Sequence, residues 1–296
     1  MRIMKSKIFK ITLMILLLSA GCDKKNNTGQ PEGFIQVKGS DTLVNAEQKV
    51  AEEFMKEYPY IFVAVTGGGS GVGIASLINK TCDIATASRE IKAKEIELAE
   101  KHGVSPKEFV VAHDGVAVVV NKDNPVEKLT IKDLHDIFTG KATNWKQFGG
   151  KDMSIVTLSR EVSSGTHVYF KEEVIHLGKK DSVEEFLAQT LLLSSSQAII
   201  EEVVANEAAI GYLGMGYICE RVKPLLLAKD EQFYPPDIDN VLKRTYPLSR
   251  PLYFFTNNEP SGIIKLFIDF TLSPKGQLQF RETGFVPIGA GIEKQN

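Results

Sequence analysis

Apolar residues along this chain keep switching between strand spacing and helix spacing, and the switching predicts the architecture. Phe34 to Lys38 reads as a short strand, Asn45 to Glu57 as an amphipathic helix, and Tyr60 to Val65 as an apolar strand. Val72 to Asn79 then reads as helix, Asp83 to Ala87 as strand, and Lys92 to Lys101 as a charged helix. Two further apolar strands are expected at Phe109 to Ala112 and Val116 to Val120. From Thr130 the alternation restarts, with a helix to Phe138, a strand at Ile155 to Leu158 and a helix from Thr166. A helix over Ser196 to Ala205 and a strand at Ala209 to Leu213 follow. The tail adds a strand at Leu252 to Thr256 and helices over Ser261 to Thr271 and Pro274 to Thr283. Strands alternating with helices predict an α/β fold with a largely parallel sheet.

A second α/β set beginning near residue 120 predicts two lobes, in keeping with about 100–200 residues per domain. Gly115 to Asn121 reads as strand, not linker, so structured crossings should join the lobes, with a cleft between them. Ligands of open α/β sheets sit beyond the carboxyl ends of strands, where loops enter helix N-termini. Those loops are where a site is expected.

The N-terminus reads differently. Arg2, Lys5, Lys7 and Lys10 precede an apolar run from Ile11 to Leu18, followed by Ser19-Ala20-Gly21-Cys22. A charged region, a short apolar core and small residues make an export signal over residues 1–21. The apolar run is shorter than the roughly 20 residues of a spanning helix. Small residues running into Cys22 resemble a lipobox, which makes Cys22 the expected lipidation site, although Ser19 stands where leucine is usual. Asp23 to Glu32 is polar, as a tether from membrane to folded domain should be.

Composition narrows the function. Hydrophobic residues at 43% and charged residues at 24% are globular values and exclude a disordered or fibrous chain. The net charge is −2; the first 21 residues hold four basic and no acidic residues, which leaves 31 basic, 37 acidic and a net −6. That balance disfavours nucleic-acid binding. Cys82 and Cys219, far apart in sequence, are expected as two buried free thiols. His102, His113, His135, His167 and His176 show no ligand spacing, so neither a metal nor another cofactor is expected.

Three strand-to-helix loops share one chemistry: Gly39-Ser40-Asp41-Thr42, Gly67-Gly68-Gly69-Ser70-Gly71-Val72-Gly73, and Arg160-Glu161-Val162-Ser163-Ser164-Gly165-Thr166. Each sets glycines and small hydroxyls where helix N–H groups are unpaired and the helix dipole is positive, which favours an anion. Any one of them also reads as a plain N-cap; three, one with an arginine, point to a site. The glycine-rich run is not a P-loop, since Ile74 follows Gly73, nor does it fit the dinucleotide pattern.

Further pieces are Asp83-Ile84-Ala85-Thr86-Ala87-Ser88-Arg89-Glu90 and Ile137-Phe138-Thr139-Gly140-Lys141-Ala142-Thr143-Asn144-Trp145. Ala209-Ile210-Gly211-Tyr212, Tyr246-Pro247-Leu248-Ser249-Arg250-Pro251 and Gly284-Phe285-Val286-Pro287 complete the series. In this order, with the three loops, they make the chain resemble the phosphate-binding proteins of ABC transporters (PstS type) from about Gly39 to Pro287. The resemblance implies a two-lobed periplasmic-binding-protein fold of type II, with residues 33–115 and 246–296 in lobe I and 116–245 in lobe II. It implies phosphate bound with high affinity in the interlobe cleft and delivered to an ABC permease by a protein with no chemistry of its own, expected as a monomer.

Carried over by position, Ser40, Thr42, Ser70, Arg160, Ser164, Gly165 and Thr166 would bind phosphate. Ser88 stands where better-known members have an aspartate that accepts the phosphate's own proton. Asp41 is the nearest carboxylate able to take over, or else it caps the following helix. Arg160 is expected to supply the one full positive charge. Arg89 is expected in a structural ion pair with Glu90 or Asp83, and Trp145 in the packing of lobe II. Two other readings stay open: a receptor for another tetrahedral oxyanion such as sulfate, or a phosphate-sensing surface lipoprotein. A serine hydrolase using Ser164 with His167 is the rival from another class, and there Ser164 is better placed as a helix cap.

Overall fold

The computed structural model describes residues 29–289; the expected export signal, Cys22 and most of the expected tether lie outside them. The first α/β set forms β1 (Gly33–Gly39), α1 (Val44–Glu57), β2 (Ile61–Thr66), α2 (Ser70–Ile78), β3 (Ile84–Ala87), α3 (Ala93–Lys101) and β4 (Pro106–Val120). The second forms β5 (Lys128–Leu129), α4 (Ile131–Phe138), β6 (Val156–Arg160), α5 (Gly165–Phe170), β7 (Leu191–Leu193), α6 (Ser196–Ala205) and β8 (Ala209–Gly214). Small strands β9 (Lys223–Pro224), β10 (Leu226–Lys229) and β11 (Gln232–Tyr234) and helix α7 (Ile238–Leu242) come next. The tail is β12 (Ser249–Asn257), α8 (Gly262–Leu272), α9 (Pro274–Glu282) and β13 (Val286–Pro287).

The main sheet runs in the order β2-β1-β3-β12-β4-β8-β6-β7. Its flanks are parallel, β1 with β2 and β3, and β6 with β7 and β8. Its centre is antiparallel: β12 opposes β3 and β4, and β4 opposes β8. The sheet is therefore mixed, not largely parallel. The expected strands at 109–112 and 116–120 are one 15-residue strand, about 50 Å long at about 3.3 Å per residue. Beside β12 as far as Gly115, β4 takes β8 as partner from Val116, so one strand crosses between the two halves. An antiparallel partner needs no helical crossover, which is how two parallel flanks fuse through the middle.

Each half buries its own apolar cluster. Ile35, Val37, Phe54, Phe254, Phe267 and Phe280 gather around α1, α8 and the β1 side. Val118, Phe138, Trp145, Phe170 and Tyr212 gather on the other, with the Phe170 and Tyr212 rings stacked at 3.8 Å. Trp145 is fully buried, its indole N–H donating to the Ala208 carbonyl at 2.8 Å, as expected of a packing residue. Helix α1 forms because Ala46, Val50, Ala51 and Phe54 make one stripe against the sheet, while Gln48, Lys49 and Glu52 face water. Cys82 and Cys219 are free, but only Cys82 is buried, its thiol pushed up to about 12 chiefly by burial. Cys219 is exposed, because it follows the short turn Met215–Tyr217 in a surface loop.

Candidate functional site

The three loops named from sequence meet between the halves. Gly71 N–H donates to the Ser163 carbonyl at 2.9 Å, and the Thr42 and Thr166 hydroxyls lie 2.9 Å apart. Gly69 holds φ +99°, and a Cβ there would come within 2.8 Å of the Ser163 oxygen, so this meeting requires glycine. Ser88 is brought in from the end of β3: its N–H donates to Ser70 Oγ at 3.0 Å, and the two hydroxyls are 3.4 Å apart. Gly165 faces both. A Cβ on it would sit 2.3 Å from Ser70 Oγ and 2.6 Å from Ser88 Oγ. Ser40, Thr42, Ser70, Ser88, Arg160, Ser164 and Thr166 are all buried. Ser40 Oγ is enclosed without a hydrogen-bond partner, an uncommon state for a hydroxyl that a ligand does not engage.

Ser164 caps α5, its Oγ accepting from the N–H groups of Thr166 and His167. The His167 ring turns instead to Ser159, 3.1 Å from its Oγ, which also lies 2.6 Å from the Tyr212 hydroxyl. Burial, with Lys171 adding to it, lowers His167 to about 4, so it is neutral at physiological pH. The ring that could act as a base is thus hydrogen-bonded to Ser159, and only the His167 backbone N–H reaches Ser164.

Asp41 does not cap α1. Leu43 holds that position with no side-chain cap, and the Asp41 carboxylate reaches across to the other half. Its Oδ2 accepts from the Ser196 N–H at the start of α6 at 2.9 Å and lies 3.2 Å from Arg160 Nη1. The Tyr217 hydroxyl donates to the Asp41 carbonyl at 2.7 Å. Arg160, at the end of β6, also donates to Ser196 Oγ and to the Ser194 carbonyl. Burial lowers its pKa and Asp41 opposes that; the guanidinium remains a cation.

A second guanidinium enters the cluster, against the expectation of one. Arg250 on β12 donates to Thr166 Oγ1 at 3.0 Å and to the Ser88 carbonyl at 3.0 Å. It is anchored at 2.8 Å to Asp114, which itself accepts from Met215 N–H; both charged residues are buried. Burial raises the Asp114 carboxyl, and Arg250 opposes it. In the sequence Arg250 carries no mark of its role beyond its place in the Tyr246–Pro251 piece; an acid, Asp114, set between the apolar stretches Val110–Ala112 and Val116–Val120 is the signal for a buried charge pair. Ser196 and Tyr217 carried no such signal. Arg89 is paired, but with Glu95, bidentately at 2.7 and 2.9 Å, because α3 turns that side chain back onto it. Asp83 accepts from Gln36 N–H instead.

Two α/β halves joined by crossing strands, with loops from both meeting on one enclosed hydroxyl and guanidinium cluster, define the type II periplasmic-binding fold. The PBP superfamily domain matches residues 25–275. The chain belongs to the PstS family of phosphate-binding proteins. It is 33% identical to protein SphX of Synechococcus elongatus, over 87% of this chain and 78% of that one. It is 30% identical to the phosphate-binding protein PstS of Pseudomonas aeruginosa, over 89% and 85%. The solved structure of a phosphate ABC transporter substrate-binding protein with bound phosphate, from Clostridium perfringens, has a TM-score of 0.78 at 32% identity. That match covers 86% of this chain and all of the other.

Proposed function

We propose that this chain binds inorganic phosphate between its halves and delivers it to an ABC permease. The observation that carries the reading is the convergence of the buried Thr42, Ser70, Ser88 and Thr166 hydroxyls, from four separate loops, with the Arg250 guanidinium. Small hydroxyls and helix N–H groups supply donors, Gly165 leaves room for close approach, and Arg160 supplies charge. Closing the halves over the anion trades water for these donors, so binding selects the closed arrangement. Residues 33–115 and 246–296 would move as one lobe and 116–245 as the other, with β4 and the segment before β12 as the hinge. We further propose export directed by residues 1–21, lipid on Cys22 with residues 22–32 as tether, and a monomer without enzymatic activity. The His167 ring, turned to Ser159, and the capping role of Ser164 support the last point.

The test is calorimetry with phosphate, sulfate and other oxyanions on wild type and Arg160→Ala. Truncating one partner of a buried charge pair costs on the order of 2–5 kcal/mol. Arg160→Ala should therefore bind phosphate roughly 30-fold to several-thousand-fold more weakly while remaining folded. Binding within about threefold of wild type, below that range, rejects the assignment.

A further inference from the structure

Helix α1 carries one acid inside its apolar stripe. Glu47 falls in register with Val50, Ala51 and Phe54 and is as fully buried as they are. Neither carboxyl oxygen has a hydrogen-bond partner, and no Lys, Arg or His among the described residues pairs with it. A carboxylate isolated in this way is far too costly to keep ionised and takes up a proton instead. The charged groups facing it offer no relief. Asp41, in the loop before α1, has the same sign, and Tyr217, after β8, lies within its field. Thr86, from β3, acts against this: its hydroxyl accepts from Ser40 N–H at 2.9 Å and can still donate towards the Glu47 carboxyl, but it does not outweigh the burial. The nearby guanidiniums are committed elsewhere, Arg160 to Asp41 and Arg250 to Asp114.

We infer that Glu47 is a neutral acid held behind the Ser40–Thr42 loop, and that its ionisation weakens anion binding at that loop. The inference rests on the phosphate-site reading above. Burial pushes the Glu47 carboxyl up to about 8; Thr86 offsets part of the rise and Asp41 adds to it. An oxyanion seated on the loop is one more negative charge nearby, so it raises the proton affinity of Glu47 further. Below about pH 8 the acid is neutral and anion binding proceeds unopposed. Above it, an anion must either return the proton to Glu47 or bind beside a second negative charge, so affinity falls as pH rises. Phosphate is already the dianion across that alkaline window, so its own titration does not produce the fall.

Phosphate calorimetry from neutral to alkaline pH tests this on wild type, Glu47→Gln and Thr42→Val. If the bound anion raises the carboxyl by about one pH unit, wild type should weaken about tenfold through the window, while the near-isosteric, uncharged glutamine variant stays flat. NMR of glutamate labelled with carbon-13 at the side-chain carboxyl should show one resonance titrating near pH 8 in wild type and absent from Glu47→Gln. The wild-type part of that experiment decides the matter even if the variant does not fold: no glutamate titrating there overturns the inference. A glutamine variant that weakens in parallel with wild type overturns it too. Thr42→Val separates the two readings. If it binds as wild type does, the loop assignment itself fails; if it weakens while Glu47→Gln keeps the wild-type pH profile, only the role of Glu47 fails.

Discussion

Asp41 shows how much one side chain changes meaning once its partners are known. Between Ser40 and Thr42 it is a candidate acceptor or cap; in the fold it ties the first loop to Arg160 and to the start of α6. Phosphate near neutrality keeps a proton and sulfate has none. A fixed carboxylate facing that proton rejects sulfate, since two acceptors would otherwise be buried against each other. Ser88 cannot enforce this alone, because a hydroxyl can rotate to donate or accept. Asp41→Asn is therefore expected to let excess sulfate compete with phosphate, while wild type ignores it. Titration of phosphate with and without sulfate checks this, and equal indifference in both proteins removes Asp41 as the acceptor. The same residue marks the limit of reading from sequence: its hydrogen-bond partner Ser196 lies 155 positions away, so only the fold could identify it.

At the level of elements, the loops were legible because their composition is chemical: glycine, serine and threonine ahead of helices α2 and α5 are what an anion and a cap both require. What separates cap from site is convergence. Helix α5 begins at Gly165 against Ser70 and Ser88, hydroxyls delivered by two other elements. Gly165→Ala drives a methyl into both, so the start of α5 must retreat from α2. The expected outcome is a folded protein whose phosphate affinity falls at least as far as that of Arg160→Ala. Circular dichroism with calorimetry reads both properties, and wild-type affinity in the alanine variant would show that the two loops do not close together. The single strand β4 stands in place of two for a reason of the same scale. His113, Asp114 and Gly115 interrupt its apolar pattern, yet Asp114 is satisfied by Arg250 and Met215, and the strand continues through them.

For the molecule as a whole, binding between two halves links ligand to stability. At phosphate about a hundredfold above Kd, the folded state should gain about 2.7 kcal/mol. For a chain of this size, that moves the melting point up by several degrees. Thermal melts with phosphate should show the shift in wild type and lose it in Arg160→Ala; equal shifts in both would point to binding elsewhere. Attachment is tested separately, since a lipid on Cys22 would determine where the protein works and not what it holds. Wild type expressed with its export signal should partition into the detergent phase and Cys22→Ser into the aqueous phase. Aqueous partition of both removes the anchor.

The local terms of this protein are written in its sequence. Periodicity fixed most helices and strands, because each buries one face over a few residues, and small hydroxyls with glycine announced the anion loops. Tertiary structure decided what depends on partners distant in the chain. It opposed β4 to β8 and β12, brought Arg250 to Thr166, turned Asp41 away from its own helix, and enclosed Glu47 without a counter-ion. The physical reason is common to all four. Strand direction, charge pairing and desolvation are set by what lies across the fold, and one chain's pattern records its own face but not its neighbour's.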